Sequence, residues 1–99
     1  MSTLHVLSHS PFADTRMTSC LRLIGTDDAI LLCGDATYAL TESSVPLKAL
    51  EARFGEVTVF ALDEDIKARS VLVPHWVKTL DYPAFVELSI QYDRVNTWL

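Results

Sequence analysis

The sequence has little of what marks disordered, disulfide-linked or membrane-spanning chains. Only 3 glycines, 4 prolines and 2 cysteines occur among 99 residues, whereas apolar residues make up 49% of the chain. This composition predicts a folded globular protein with reduced thiols. The longest apolar run, residues 29–33, is far shorter than the roughly 20 residues of a membrane span. We therefore expect a single domain over residues 1–99 with no membrane segment.

Basic residues are also scarce. Eight Lys and Arg against 13 Asp and Glu give a net charge of −5, spread along the chain, which argues against direct nucleic-acid binding. Residues 1–12 contain no Lys or Arg and no pattern of a secretory signal, so we expect a cytoplasmic protein. A mean hydropathy of +0.23 is high for so small a chain, which predicts that a protein partner covers part of its surface.

Strand-like and helix-like segments alternate along the whole chain. The patterns predict strands near residues 3–7, 29–33, 57–61, 77–80 and 95–99, and helices near residues 14–25, 36–40, 46–54, 63–69 and 83–92. Residues 71–73 compete with residues 77–80 for the fourth strand. Asp14 is the expected N-cap of the first helix, and Gly25 its expected left-handed C-terminal residue. The alternation predicts a small three-layer α/β domain with a mainly parallel sheet.

The two cysteines are the candidate nucleophiles. Cys20 falls on the apolar stripe of the first helix, which favours a buried core thiol. A reactive Cys20 would instead need partial exposure and a lowered pKa, for which Arg16 and Arg22 could supply positive charge. Cys33 ends a buried strand, as in a phosphatase loop, but Ala39 stands where that loop needs Arg. We therefore interpret Cys33 as a small apolar residue.

The remaining patterns predict no cofactor and no metal. Residues 8–12 follow a strand but lack the glycines of a phosphate-binding loop. His5 and His9 lie about 13 Å apart on an extended chain, too far to share an ion. The carboxylates of residues 63–65 are interpreted as charges at the start of a helix. A Ser/His/Asp signature is also missing.

Five segments, taken together and in this order, resemble one known family. They are residues 4–12 (LHVLSHSPF), 35–39 (DATYA), 60–65 (FALDED), 81–88 (DYPAFVEL) and 98–99 (WL). The chain resembles the TusB/DsrH family, which belongs to the DsrE-like superfamily. It departs from the common pattern at Ala36 and Ser70, where glycines are often found; both differences affect local turns.

The resemblance implies a subunit of a bacterial cytoplasmic sulfur relay, without turnover of its own. TusB-like chains assemble with TusC-like and TusD-like subunits into a heterohexamer. That complex takes sulfur from TusA-like carriers and passes it through TusE-like carriers toward 2-thiolation of the wobble uridine in tRNA. The principal sulfur-carrying cysteine there belongs to the TusD-like subunit.

Two alternatives remain open from the sequence. DsrH-like relatives occur in the DsrEFH complex of sulfur-oxidising bacteria, where a cysteine in the first helix is a family feature, and Cys20 matches its position. On that alternative Cys20 carries sulfur as a persulfide. The other alternative is a free-standing domain that binds a small ligand.

Overall fold

The computed structural model of the chain describes residues 2–53 and 55–98, and its central feature is a five-stranded sheet. The strands are β1 (Thr3–Leu7), β2 (Ala29–Leu32), β3 (Thr58–Leu62), β4 (Lys78–Leu80) and β5 (Arg94–Trp98). All four neighbouring pairs are parallel, in the order β4-β3-β2-β1-β5. The predicted α/β class with a parallel sheet is confirmed.

Five helical segments connect the strands. They are α1 (Arg16–Leu23), a 3₁₀ helix (Gly34–Leu40), α2 (Val45–Glu51), α3 (Asp63–Ala68) and α4 (Tyr82–Gln91). Successive strands β1 to β4 step outward in one direction, and the chain then crosses back through α4 to pair β5 with β1. Because right-handed crossovers in opposite directions lie on opposite faces of a sheet, α4 is separated from the other helices.

Each face of the sheet has its own hydrophobic cluster. We call the first face the one that bears Leu7, Ile30, Leu32, Val59 and Ala61; α1, the 3₁₀ helix, α2 and α3 all pack on it. The second face bears Leu4, Val6, Ala29, Leu31, Phe60 and Leu62, and α4 covers it through the partly buried Phe85, Leu88 and Tyr92. None of these helices, within the residues described, is long and apolar enough to cross a bilayer.

The ends of α1 differ from the prediction. The helix begins at Arg16 rather than next to Asp14, although the Asp14 carboxylate still accepts the Arg16 N–H at 3.0 Å. The prediction of a left-handed Gly25 is wrong, because the helix ends in extended backbone at Ile24. The Gly25 N–H instead donates to the Asp28 carboxylate at 2.9 Å, so a side chain supplies the partner that a left-handed turn would have provided.

Other boundaries shift by a few residues. Strand β3 starts one residue later than predicted, and α2 ends at Glu51 instead of reaching residue 54. Residue 54 and Leu99, the predicted ends of α2 and of the last strand, lie outside the described residues. The Asp81 side chain caps α4 by accepting the Ala84 N–H at 2.9 Å. Ser70 has a φ of 52°, the left-handed region that glycine adopts most easily, which is a physical reason for the glycine that the resemblance led us to expect there.

Candidate functional site

The carboxyl edge of the sheet is where an open parallel sheet most often carries its chemistry. The loop after β1, the residues after β2 and the start of α3 all lie at this edge. Cys33 is the first residue after β2, at the edge where the sequence predicts it. The candidate crevice is therefore built from Cys33 and from the polar residues of the two neighbouring connections.

Two short contacts join the first two loops. The Cys33 N–H donates to the Leu7 carbonyl at 3.0 Å, and the Cys33 thiol donates to the same oxygen at 3.5 Å. Gly34 follows with a φ of 52°, and a Cβ at this position would lie 3.3 Å from the Ser8 carbonyl oxygen. Glycine is thus required by both its backbone conformation and the close approach of the first loop.

An ion-pair network crosses the same edge. Arg69 donates to Asp35 Oδ1 from Nε at 3.1 Å and from Nη2 at 3.0 Å, and its Nη1 lies 3.6 Å from Asp65 Oδ1. Asp65 also accepts the Gly34 N–H at 2.8 Å, and the Arg69 guanidinium lies 5.9 Å from the centre of the Tyr38 ring. Because two carboxylates share the single Arg69 cation, the network is negative on balance and poorly suited to bind an anion.

The surroundings of Cys33 disfavour its reactive form. Burial raises the pKa of the Cys33 thiol, the Asp65 carboxylate raises it further, and Arg69 opposes both. A thiol with a raised pKa is protonated at neutral pH, whereas the thiolate is the nucleophile. Little in the sequence indicates this network, since Asp35 and Arg69 are 34 positions apart. Only the spacing of Asp65 and Arg69 is typical of a helical pair.

Cys20 lies in the middle of α1 on the side that packs against the first face. It is fully buried, in the same cluster as Met17 and Ile24. Burial raises the pKa of the Cys20 thiol to about 12, with a smaller contribution from the charge of Asp28. Neither arginine that could have lowered this pKa contributes, because Arg16 pairs with Asp14 and Arg22 points toward a groove on the outside of α1.

That groove has a volume of about 560 Å³ and runs between the loop after β1, the outer side of α1 and the start of α2. It is lined by Pro11, Phe12, Met17, Thr18, Leu21, Arg22, Ser44, Val45, Pro46 and Ala49. The lining is mostly apolar, and Arg22 is the single charged residue among the described residues that form it. Cys20 does not line it, so the groove gives a partner no access to that thiol.

A buried histidine links the two ends of the described chain. Trp98 Nε1 donates to His5 Nδ1 at 3.1 Å, and His5 Nε2 lies 3.3 Å from Asp28 Oδ2. Since Nδ1 accepts, the proton of the neutral ring belongs on Nε2 and is donated to Asp28. Burial opposes ionisation of Asp28, but hydrogen bonds from Gly25, Thr3 and His5 outweigh it and lower the pKa of that carboxyl.

His5 and His9 do not converge. His5 is buried on the first face, whereas His9 is exposed in the loop after β1. Among residues 2–53 and 55–98, no three His, Cys, Asp or Glu side chains come together in a way that could hold a metal ion.

The fold is similar to that of a solved protein. The crystal structure of the ychN protein from E. coli superimposes with a TM-score of 0.76 over 98% of this chain and 99% of that one. At 18% identity this likeness concerns the fold alone. The arrangement of strands and helices therefore defines a known class of small α/β domain.

The sequence relatives are more specific. A family model described as "DsrH like protein" matches residues 9–95. Curated relatives named "Protein TusB" from Salmonella arizonae and Salmonella typhimurium are each 34% identical over 97 residues, covering 96% of this chain and 99% of theirs. The chain belongs to the DsrH-like family, and the resemblance derived from its five segments is confirmed.

Proposed function

We propose that this chain is a subunit of a bacterial cytoplasmic sulfur relay that supports 2-thiolation of the wobble uridine in tRNA. It assembles with TusC-like and TusD-like subunits and depends indirectly on TusA-like and TusE-like carriers. The observation that carries this proposal is the 34% identity to TusB proteins over nearly the whole of both chains. The net charge of −5 supports a role exerted through proteins and not through direct contact with tRNA.

Within the relay the chain acts as an assembly subunit and not as a sulfur carrier. A thiol that accepts sulfur must be reachable by the donor and must ionise near neutral pH. Cys20 is fully buried and its pKa is raised to about 12, so it meets neither condition. On the carrier alternative, α1 would have to separate from the first face before Cys20 could become a persulfide.

The experiment is deletion of the gene in its own bacterium, followed by complementation. We expect 2-thiouridine in tRNA, measured by mass spectrometry of nucleosides, to fall on deletion and to return with the wild-type chain. Cys20→Ala should restore it equally well, because alanine keeps the site apolar, whereas serine would bury a hydroxyl. Cys33→Ala serves as the matched control at the other thiol.

Two results contradict the proposal at different levels. Unchanged 2-thiouridine after deletion refutes participation in thiolation. Failure of Cys20→Ala to restore thiolation while the complex still assembles, with an adduct of about 32 Da on the wild-type Cys20 peptide, establishes the carrier alternative.

A further inference from the structure

Helix α4 is the least buried of the helices that cover the sheet. Apolar residues make up six of its ten positions, yet none of the ten, all of which the structure describes, is buried. Helices α1 and α2 are shorter and each bury two residues. A helix this apolar is normally buried on most of its circumference. In the isolated chain, part of the apolar surface of α4 is therefore exposed to solvent.

The apolar residues of α4 form two stripes. Phe85 and Leu88, together with Tyr92 directly after the helix, pack toward the sheet and are partly buried. Tyr82, Val86 and Ile90, spaced four residues apart along the opposite side, are 57%, 45% and 79% exposed. Residues at this spacing line one side of a helix, so the outer stripe is continuous along the helix.

Strand β5 adds an apolar residue to the same side of the molecule. Val95 pairs with Leu4, and because paired residues of parallel strands point to the same face, Val95 lies on the second face with α4. Its side chain is 45% exposed. We call Tyr82, Val86, Ile90 and Val95 the α4 surface.

The charged side chains of α4 and of the residues that flank it are carboxylates. Asp81 precedes the helix, Glu87 lies within it and Asp93 follows it, and all three side chains are exposed. The sequence has no Lys or Arg between Lys78 and Arg94. Lys78 lies on the second face, with its Nζ 5.9 Å from the centre of the Phe60 ring, and Arg94 pairs with Thr3 on the first face. The apolar stripe is therefore bordered by carboxylates.

We propose that the α4 surface docks a partner subunit whose own apolar face is bordered by Lys or Arg. A second copy of this chain fits poorly, because a two-fold contact would set the same three carboxylates against one another. An anionic membrane or a nucleic acid would be repelled by the same charges. The identity of the partner as the TusC-like or TusD-like subunit rests on the proposed function.

The test uses the chain co-purified with the TusC-like and TusD-like subunits of its own organism. Ile90→Arg should raise the dissociation constant about 10- to 100-fold, since it puts a cation into an apolar contact beside the partner's cations. Leu23→Arg, at a residue 73% exposed on α1, is the matched control and should change the constant less than about threefold. Circular dichroism verifies that both variants fold.

A second variant tests the charge. Glu87→Lys should slow association with the partner, and raising the salt concentration should remove most of the difference from wild type. Hydrogen exchange provides a measurement that requires no substitution. The backbone N–H groups of residues 82–91 should exchange more slowly in the complex than in the free chain.

Each outcome has a distinct meaning. If the wild-type chain binds neither subunit, the partners named in the proposed function are wrong and this inference is wrong with them. If it binds but Ile90→Arg has no effect, or no more effect than Leu23→Arg, only the inference is overturned. A dimer of the chain alone that Ile90→Arg abolishes would identify a second copy as the occupant and overturn the choice of partner.

Discussion

The two faces of the sheet differ in the helices that cover them. Four helical segments pack on the first face, although the central strand residues of both faces are buried. One helix of 10 residues crosses the second face, without burying any of its own side chains within the described chain. Both faces bear equally apolar strands, so the difference lies in the helices that the chain has available to cover them. Within the isolated chain the helices of the first face bury residues of their own, whereas the helix on the second face stays partly exposed on all of its residues.

The largest effect should come from the first face. Leu32→Ala removes a fully buried side chain and should lower the free energy of unfolding by about 2–5 kcal/mol in urea titrations. Leu88→Ala on the inner side of α4 is the matched change on the second face and should cost less, about 1 kcal/mol, because Leu88 is only partly buried. An equal loss of unfolding free energy in the two variants would show that the two faces of the sheet are buried to the same extent.

The second largest effect should come from the hydrogen bond between Trp98 on the edge strand β5 and the buried His5. Trp98→Phe keeps an aromatic ring but removes the donor to the buried His5 Nδ1, and should cost about 1–3 kcal/mol. The measurement is urea unfolding of the isolated chain. A Trp98→Phe chain as stable as wild type would mean that water replaces the lost donor.

A smaller effect should appear at alkaline pH. The folded chain keeps the Cys20 proton up to a pKa of about 12, whereas an unfolded thiol loses it near 9.0. The free energy of unfolding should therefore fall as pH rises between these values, by about 1 kcal/mol at about pH 10. Cys20→Ala should flatten this part of the profile. If the free energy of unfolding depends on pH in the same way in the wild-type chain and in Cys20→Ala, Cys20 is not buried and protonated as described.

The smallest effect belongs to the outer side of α4. Ile90→Ala should change the free energy of unfolding of the isolated chain by less than about 0.5 kcal/mol, because the side chain is 79% exposed. The same variant should bind the partner subunit more weakly, which pull-down under matched conditions measures. A large loss of stability in the isolated chain would mean that the second face is already closed by its own residues.

The local features were predictable from the sequence, because they depend on residues close together in the chain. The order of strands and helices and the burial of Cys20 on a helical stripe both follow from spacing and composition. Gly25 was predicted wrongly for a physical reason. Its partner is the side chain of Asp28, which competes with the left-handed turn that glycine suggests.

The contacts that could not be predicted join distant residues. His5 and Trp98 are 93 positions apart, and Arg69 reaches Asp35 across 34. Both depend on the strand order β4-β3-β2-β1-β5, which hydrophobic periodicity does not contain. Periodicity likewise does not tell which apolar stripe of α4 the sheet covers.

The pairing of β1 with β5 has a consequence for synthesis of the protein. The first strand leaves the ribosome early, but its neighbour on one side consists of residues 94–98. At about 5–20 residues per second, β1 waits several seconds with an open hydrogen-bonding edge. Pairing at such sequence separation is slow to form and exposes the edge to other chains in the meantime. The nascent chain thus depends on rapid closure of its last strand, and a chain truncated before residue 94 would keep that edge open permanently.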